Sequence, residues 1–535
     1  MTSFRNILFI ISLLIISNPI YSQTPSYERP RLIIGIIVDG LQQKHIDYLW
    51  NYLEPGGFKR LIEQGTSCRN VSYNIVSSGD AADIATVMTG SIPYYHGITG
   101  NAYFKRSDRT IHSIIEDENQ SGIGTTMNVS AHNLLASTIS DELYLAFPEK
   151  SKTYAIAIRP EDAIMLGGHT AKSVAWIDNV SLKWVTTTYY SEGLSQWADK
   201  MNTDGTFNNI VAQKWEPLYN INTYLSKPNK EDKKWGFYYD PTSRVSQYSP
   251  TTILKNTPAA NTLVAALAQK IIEGENLGND AYPDMLLLQF TVRPPNENTF
   301  ALQSAEKEDM YLRLDKDIET LLQKIDVKIG LDKTLVYMFA NQTGTHSPAE
   351  LGMNKIPAGY FNARRSMALL SSYLIAIYGE ERWIDGYYGK NIFLNKSKIE
   401  EKKINFKQMQ QTVADFMLEF EGIQSAFTSS QIVGMSGNTG SEMFRIRNSM
   451  HKNTVGDVIF TLLPGWIEVD DKNKPVGESN AIVSYTPLYF FGWHIKPRKV
   501  DAAYQTTDIA PTLSRLLNIP MPNAATGKPI EEIVK

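Results

Sequence analysis

Cysteine is nearly absent from this chain of 535 residues, which contains only Cys68. A single cysteine cannot form an intramolecular disulfide, and it cannot supply a thiolate metal cluster. The chain also lacks an excess of either charge, because 52 Lys and Arg residues nearly balance 56 Asp and Glu residues. Without a basic surplus, the protein is not expected to bind nucleic acid. After the first 22 residues, no apolar run is long enough to span a bilayer.

Residues 1–22 have the pattern of a secretory signal peptide. Arg5 supplies a positive charge, Ile7–Ile16 forms the apolar centre, and Pro19 interrupts the helix before a small residue. The alternative is a membrane anchor, but this apolar run is too short to cross a bilayer comfortably. We therefore expect cleavage near Ser22-Gln23 and export of the mature chain to the periplasm or out of the cell.

Long apolar runs rich in β-branched residues alternate with helical patterns along the remaining chain. Arg31–Asp39 is nearly continuously apolar and ends in a carboxylate, as in strands buried on both faces of a parallel sheet. Glu308–Ile325 instead has apolar residues at helical spacing. This alternation predicts an α/β fold with a doubly wound, mostly parallel central sheet and helices on both faces. Further runs with the strand pattern are Met285–Thr291, Thr334–Ala340, Val458–Leu463 and Pro487–Phe491.

Two regions interrupt the alternation within a single predicted domain over residues 23–535. We predict insertions at about residues 171–283, which are rich in Trp and Tyr, and at about 381–450, which contain a highly charged stretch. Both would cap one end of the sheet. The aromatic-rich cap could form its own small core or could bind a sugar, a lipid or a protein. In open α/β sheets the ligand site lies beyond the carboxyl ends of the strands.

Six blocks of sequence occur in order between about residue 31 and the C-terminus. They are IIVDGLQQKHIDYL, GGFKRLIEQGTSCRNV, ATVMTGSIPYYHGITGN, EDMYLRLDKDI, KNTVGDVIFTLLPGW and TTDIAPTLSRLLNIPMPNAATGKPI. Together they resemble the type I phosphodiesterase/nucleotide pyrophosphatase-like branch of the alkaline phosphatase superfamily. More closely, they resemble its exported bacterial alkaline phosphatases with a threonine nucleophile. The resemblance implies an alkaline phosphatase-like fold and two zinc ions that hold phosphate and activate the threonine hydroxyl.

The residues at the implied nucleophile and metal positions do not suit that chemistry. Asp80 occupies the nucleophile position, and Asp39 is the only metal ligand retained in type. Amide side chains lack the charge and the nitrogen donors that zinc prefers, and proline offers no ligand. We therefore do not expect a two-zinc site, and we predict no cofactor. The alternative is a single Ca²⁺ or Mg²⁺ ion bound by oxygen ligands. The residues at the other ligand positions are Pro294, Asn298, Asn341, Gln342 and Tyr485.

The positions that would hold phosphate give a mixed picture. The resemblance matches Asn101 to an asparagine that contacts phosphate. It also implies a pair of cationic residues, at which this chain has Arg159 and Glu161. An anionic Glu161 near Asp39 and Asp80 is expected to repel phosphate.

These substitutions lead to two hypotheses about function. The first is a non-catalytic binding or interaction protein, a pseudoenzyme, which uses the cleft or the aromatic-rich cap to bind an unknown protein or small ligand. The alternative is a phosphomonoester or phosphodiester hydrolase with a rebuilt, possibly single-metal site. In that case Asp39, Asp80, Asn101 and Arg159 would carry the reaction.

Overall fold

The longest apolar runs of the sequence form the centre of a ten-stranded sheet. The computed structural model describes residues 28–76, 81–226, 239–240, 249–295, 304–341, 348–434, 441–472, 474, 476 and 485–535. The strands in chain order are β1 Leu32–Asp39, β2 Thr66–Ser72, β3 Ala102–Lys105, β4 Thr110–Ser113, β5 Gly122–Ile123, β6 Thr153–Ala157, β7 Ser173–Ile177, β8 Trp184–Thr187, β9 Asp284–Thr291, β10 Thr334–Asn341, β11 Gly359–Asn362, β12 Ile384–Tyr388, β13 Asn391–Leu394, β14 Ile423–Thr428, β15 Val458–Leu462, β16 Trp466–Val469, β17 Tyr485–Gly492 and β18 Arg498–Gln505.

The central sheet has the strand order β18-β2-β17-β10-β1-β9-β6-β7-β8-β5. Strands β10, β1, β9, β6 and β7 are mutually parallel, whereas β17 is antiparallel to both of its neighbours. Side chains of β1 alternate between two cores, since Ile34 and Ile36 pack on one face while Ile33 and Ile37 pack on the other. Burial on both faces explains the nearly uninterrupted apolar run. The predicted doubly wound, mostly parallel sheet is confirmed.

Helices cover both faces of this sheet, as the alternation of strand and helix patterns predicts. In the described part of the chain, no helix combines the length and the apolarity that crossing a bilayer requires. The helices are α1 Gln43–Leu49, α2 Phe58–Glu63, α3 Ala81–Thr89, α4 Pro93–His96, α5 Ile139–Ala146, α6 Pro160–Gly167, α7 Gln196–Thr203, α8 Thr206–Val211, α9 Pro250–Lys255, α10 Pro258–Gly274, α11 Ala305–Lys328, α12 Pro348–Met353, α13 Ala363–Tyr378, α14 Lys396–Glu401, α15 Phe406–Met417, α16 Ser429–Val433, α17 Glu442–Asn448, α18 Ile509–Leu517 and α19 Glu531–Val534.

The two predicted insertions differ in extent from the observed layers. Strands β7 and β8 belong to the central sheet, so residues 173–187 are not part of a cap. A separate four-stranded sheet of β12, β13, β15 and β14 has its own apolar core with helices α13 and α15. It extends past residue 450 and includes Val458–Leu462, which we predicted in the central sheet. An apolar run indicates that a strand is buried, but it does not indicate which sheet buries it.

Candidate active site

Three strand ends lie side by side at the carboxyl edge of the central sheet. Asp39 ends β1 and is in register with Asn341 of β10 on one side and Thr291 of β9 on the other. Backbone hydrogen bonds continue this alignment, because Gly40 N–H donates to Asn341 O at 3.0 Å and Val292 N–H donates to Asp39 O at 2.9 Å. The predicted positions Asp39 and Asn341 are therefore neighbours, as a parallel register requires.

The Asp39 carboxylate is buried between two guanidinium groups. Its side chain is 6% exposed, and it forms ion pairs with Arg159 Nη2 and Arg293 Nε, each at 3.4 Å. The two arginines approach different carboxylate oxygens, Arg159 facing Oδ2 and Arg293 facing Oδ1. Asp39 Oδ1 accepts no hydrogen bond within the described residues. The aspartate retained from the family pattern is thus the centre of an arginine cluster.

Backbone constraints place Arg293 against Asp39. Its own N–H donates to Thr291 Oγ1 at 3.1 Å, and its carbonyl accepts from Asn256 Nδ2 at 3.4 Å. Gly40 has a φ of +80°, and a Cβ atom there would lie 2.8 Å from Arg293 Cγ. The Asp39-Gly40 pair therefore ends the strand in a left-handed residue and leaves room for the arginine side chain.

Arg159 is held at the start of helix α6. Its Nε donates to Asp162 Oδ2 at 2.8 Å, one turn into that helix. The preceding residue is fixed as well, because Ile158 N–H donates to the buried Gln289 Oε1 at 2.9 Å. Burial raises the pKa of Asp162 to about 6, although the positive charge of Arg159 opposes this shift. Asp162 thus fixes the direction of the guanidinium group that faces Asp39.

A lysine missed by the sequence analysis lies beside Arg159 and Glu161. Burial lowers the pKa of Lys255 to about 8, while Glu161 opposes this shift and Arg159 adds to it. Lys255 ends helix α9, and its charge offsets that of Glu161. The expectation that Glu161 repels phosphate stays a prediction, and Lys255 is a nearby cation that it did not take into account.

The start of helix α3 lies at the same edge of the sheet. Asn101 Oδ1 accepts a hydrogen bond from Ala81 N–H, the first residue of this helix, at 3.0 Å. Tyr73 donates to the carbonyl of Ala340 at 2.9 Å. Burial, followed by the charges of Asp83 and Asp39, raises the pKa of Tyr73 well above its usual value. Asp83 is thus a second buried carboxylate whose charge acts on Tyr73, and the sequence analysis did not identify it.

The remaining predicted positions are only partly described. Pro294 is buried after β9, beside Arg293. Tyr485 begins β17 and its side chain is 54% exposed. Asp80, Asn298 and Gln342 lie outside the described residues.

In the part of the chain that the structure describes, the donor side chains do not fit a pair of zinc ions. Across the described residues, no group of three or more His, Cys, Asp or Glu side chains converges in a way that could hold a metal. Asp39, the one retained ligand, already faces Arg159 and Arg293. A cation at Asp39 would have to displace these guanidinium groups or lie beside them, and like charges at such distances repel strongly in a buried site.

Several aromatic residues of the predicted cap are core residues. Trp184, Trp215 and Tyr224 are at most 6% exposed. Asp309 of helix α11 accepts a hydrogen bond from Trp215 Nε1 at 2.7 Å and another from the Tyr224 hydroxyl. These contacts fix the segment to the main helical layer. They favour the alternative in which this region forms part of the protein's own core.

Comparison with known proteins identifies the family of this chain. The family described as type I phosphodiesterase / nucleotide pyrophosphatase matches residues 33–484. The chain belongs to this family. Within it, the predicted resemblance to the alkaline phosphatases is confirmed by full-length relatives.

Three relatives match nearly the whole chain. A protein of Myroides odoratus named calcium-transporting ATPase is 30% identical, with 95% of each chain covered. Alkaline phosphatase PhoV of Synechococcus elongatus is also 30% identical, with 95% of this chain and 93% of the relative covered. Alkaline phosphatase PafA of Elizabethkingia meningoseptica is 28% identical, with 98% of each covered. A crystal structure of PafA superimposes with a TM-score of 0.85 and 26% identity, over 95% of this chain and 99% of that one.

These comparisons overturn the hypothesis of a non-catalytic binding protein. Similarity to the named alkaline phosphatases extends over the full chain, and the fold matches that of PafA. The prediction of a non-catalytic protein rests on the substituted nucleophile position and on the substituted zinc-ligand positions. The prediction is wrong because substitutions at the family's positions do not exclude a rebuilt site, and Arg293, which lies outside those positions, also approaches Asp39.

Proposed function

We propose that this protein hydrolyses phosphate monoesters at the carboxyl edge of its sheet, in a site rebuilt around Asp39. The observation that carries the proposal is the approach of Arg159 and Arg293 to one buried carboxylate. Guanidinium groups are well suited to a doubly charged phosphoryl group, since their planar forks bind its oxygens in pairs. The similarity to alkaline phosphatases over nearly the whole chain supports the same activity.

The proposed reaction transfers a phosphoryl group from an ester to water. The water oxygen forms a bond to phosphorus while the bond between phosphorus and the ester oxygen breaks. The alcohol leaves with one of the two water protons, and hydrogen phosphate remains. The arginines would stabilise negative charge on the transferred group, which is the main requirement of this chemistry.

We assign activation of the attack to Asp80, which occupies the family's nucleophile position immediately before helix α3. The test uses the full-length mature chain and 4-nitrophenyl phosphate. We expect Asp80→Asn to lower kcat by at least about 100-fold, as loss of a catalytic base or nucleophile does. The matched control is Asp501→Asn, at an exposed position of β18, which should leave kcat unchanged.

Two results would contradict this proposal. If purified wild-type protein releases 4-nitrophenol no faster than Asp80→Asn, the assigned catalytic role of Asp80 fails. If bis(4-nitrophenyl) phosphate is hydrolysed faster than the monoester, the substrate class is a diester and the monoester assignment fails.

We also infer that the enzyme acts after export. Arg5 and the apolar run Ile7–Ile16 support this location, although they lie outside the described residues. N-terminal sequencing of protein from the cell envelope should begin at Gln23. A mature protein that retains residues 1–22 would contradict cleavage.

A further inference from the structure

Arg293 has no counterpart among the phosphate-binding positions that the family resemblance implies. Two residues after β9, it immediately precedes Pro294, one of the substituted ligand positions. Its side chain is only 13% exposed and lies 3.4 Å from Asp39. A cationic group from the chain therefore faces the carboxylate that the family pattern assigns to zinc.

Several neighbours fix this arginine in place. Asn261 of helix α10 is fully buried, and its amide binds both the N–H and the carbonyl of Thr291 at 2.9 and 2.8 Å. Thr291 in turn accepts the Arg293 N–H through Oγ1. Gly40 provides the space that the Arg293 side chain occupies. Positioning of this kind reduces the entropy lost when the guanidinium group binds a ligand.

Charge explains what this arrangement can bind. Arg159, Arg293 and Lys255 bring three cationic groups to a region that also contains the carboxyl groups of Asp39, Glu161 and Asp162. Asp39 and Asp162 orient Arg159 through contacts to different parts of its guanidinium group. Carboxylates thus orient both guanidinium groups, and guanidinium groups bind phosphate oxygens in a fixed geometry.

We propose that Arg293 and Arg159, anchored by Asp39, bind the phosphoryl group directly and without a bridging metal ion. This inference rests on the proposed phosphatase function and specifies how its substrate is recognised. Asp39 then acts as a positioning residue for two arginines. The guanidinium charges take over the neutralisation of phosphate that the resemblance assigned to zinc.

Isothermal titration with inorganic phosphate tests this assignment on the full mature protein, purified and measured in EDTA. Wild-type protein should bind phosphate under these conditions. Arg293→Met should weaken binding by at least about tenfold, because one charge-assisted pair is lost. Arg293→Lys should lie between the two, since it keeps the charge but loses the fork. The matched control is Arg364→Met, whose side chain is 84% exposed at the start of helix α13 and should bind like wild type.

Metal analysis and activity distinguish the possible failures. If phosphate binds only after Zn²⁺, Ca²⁺ or Mg²⁺ is restored, or if Arg293→Met binds as tightly as wild type, the inference is overturned. If phosphate binds in EDTA through Arg293 but 4-nitrophenyl phosphate is not hydrolysed, the phosphatase proposal fails while the assignment of the anion site stands. Thermal unfolding of each variant identifies any loss of binding that is caused by misfolding. If Arg293→Met is misfolded, the phosphate affinity of Arg293→Lys relative to wild type decides the outcome.

Discussion

Two buried aspartates in this molecule are each approached by two cationic side chains, yet their surroundings differ. Asp457 forms ion pairs with Arg106 at 3.0 Å and Lys396 at 3.2 Å, and it accepts the N–H of Leu394 at 2.8 Å. The pairs of Asp39 are longer, both at 3.4 Å, and its Oδ1 accepts no hydrogen bond within the described residues. The first carboxylate is saturated by close partners, whereas the second is not.

The position of each cluster explains this difference. Arg106 follows β3, and it also donates to Val455 O at 3.2 Å and stacks over Phe393. Asp457 therefore joins the β3–β4 hairpin to the small four-stranded sheet. Asp39 lies instead at the carboxyl edge of the central sheet, where β1 ends. The comparison indicates that a saturated ion cluster maintains architecture, while a cluster with longer contacts can rearrange around an anion.

The largest expected effect comes from removing the anchor of the arginine cluster. We expect Asp39→Asn to lower kcat/KM for 4-nitrophenyl phosphate by about 100-fold, or about 2.7 kcal/mol, because both arginines lose the carboxylate that they share. Steady-state kinetics on Asp39→Asn and Asp457→Asn measure the contrast. If the two variants lose equal activity at a temperature where both are folded, the functional distinction between the clusters is wrong.

The second prediction concerns the saturated cluster. Asp457→Ala should lower the free energy of unfolding by about 2 kcal/mol, because it removes a buried hydrogen bond and two close ion pairs. Phosphatase activity below the unfolding transition should remain. Urea unfolding followed by circular dichroism measures the loss, with Asp501→Ala as the exposed control. A stability equal to that of the control would show that Asp457 does not join the two layers.

A third change alters the space beside Asp39 without altering charge. Gly40→Ala should reduce kcat/KM by about tenfold, because the new Cβ meets the Arg293 side chain. It should also cost about 1 kcal/mol of stability, since φ is +80° at this position. Gly379→Ala is the matched control, because Gly379 has a φ of +93° with no heavy atom near the added Cβ. If both variants lose activity equally, backbone strain rather than displacement of Arg293 is the cause.

The smallest expected effect is a change of stability with pH at a third carboxylate, Asp141. Like Asp457, this carboxylate has close partners for its oxygens. Its Oδ2 binds His169 Nδ1 at 2.9 Å, and its oxygens also accept backbone N–H groups of Thr138, His169 and Thr170. The hydrogen bond between the His169 ring and the Asp141 carboxylate raises the pKa of His169, although burial opposes the shift. A raised pKa means that the stabilisation is complete below the unfolded value of about 6.5 and is lost as pH rises through the folded value.

We therefore expect the stability difference between wild type and His169→Gln to shrink by up to about 1 kcal/mol between pH 5.5 and pH 8.5. Urea unfolding at both pH values measures this change. His494→Gln is the control, because its ring is 60% exposed. A difference that grows with increasing pH would contradict the sign of the shift.

Much of the scaffold could be predicted because buried parallel strands have a distinctive sequence pattern. The apolar runs ending at Asp39 and Thr291 form β1 and β9 nearly as predicted. The helical pattern of Glu308–Ile325 lies within α11, which extends to Ala305–Lys328. Val458–Leu463 was assigned to the wrong sheet, because local hydrophobicity does not contain information about the partner strand.

The sequence by itself determined which residue types occupy the strand ends, including Asp39, Asn341 and the residues at the positions of the lost zinc ligands. It also determined the buried parallel strands, because burial on both faces imposes an apolar pattern on the chain. Only the tertiary structure brought Arg159 and Arg293 to opposite oxygens of Asp39, and Lys255 to the side of Glu161. These residues are far apart in the chain, and the parallel order of β1, β9 and β6 gathers their strand ends at one edge.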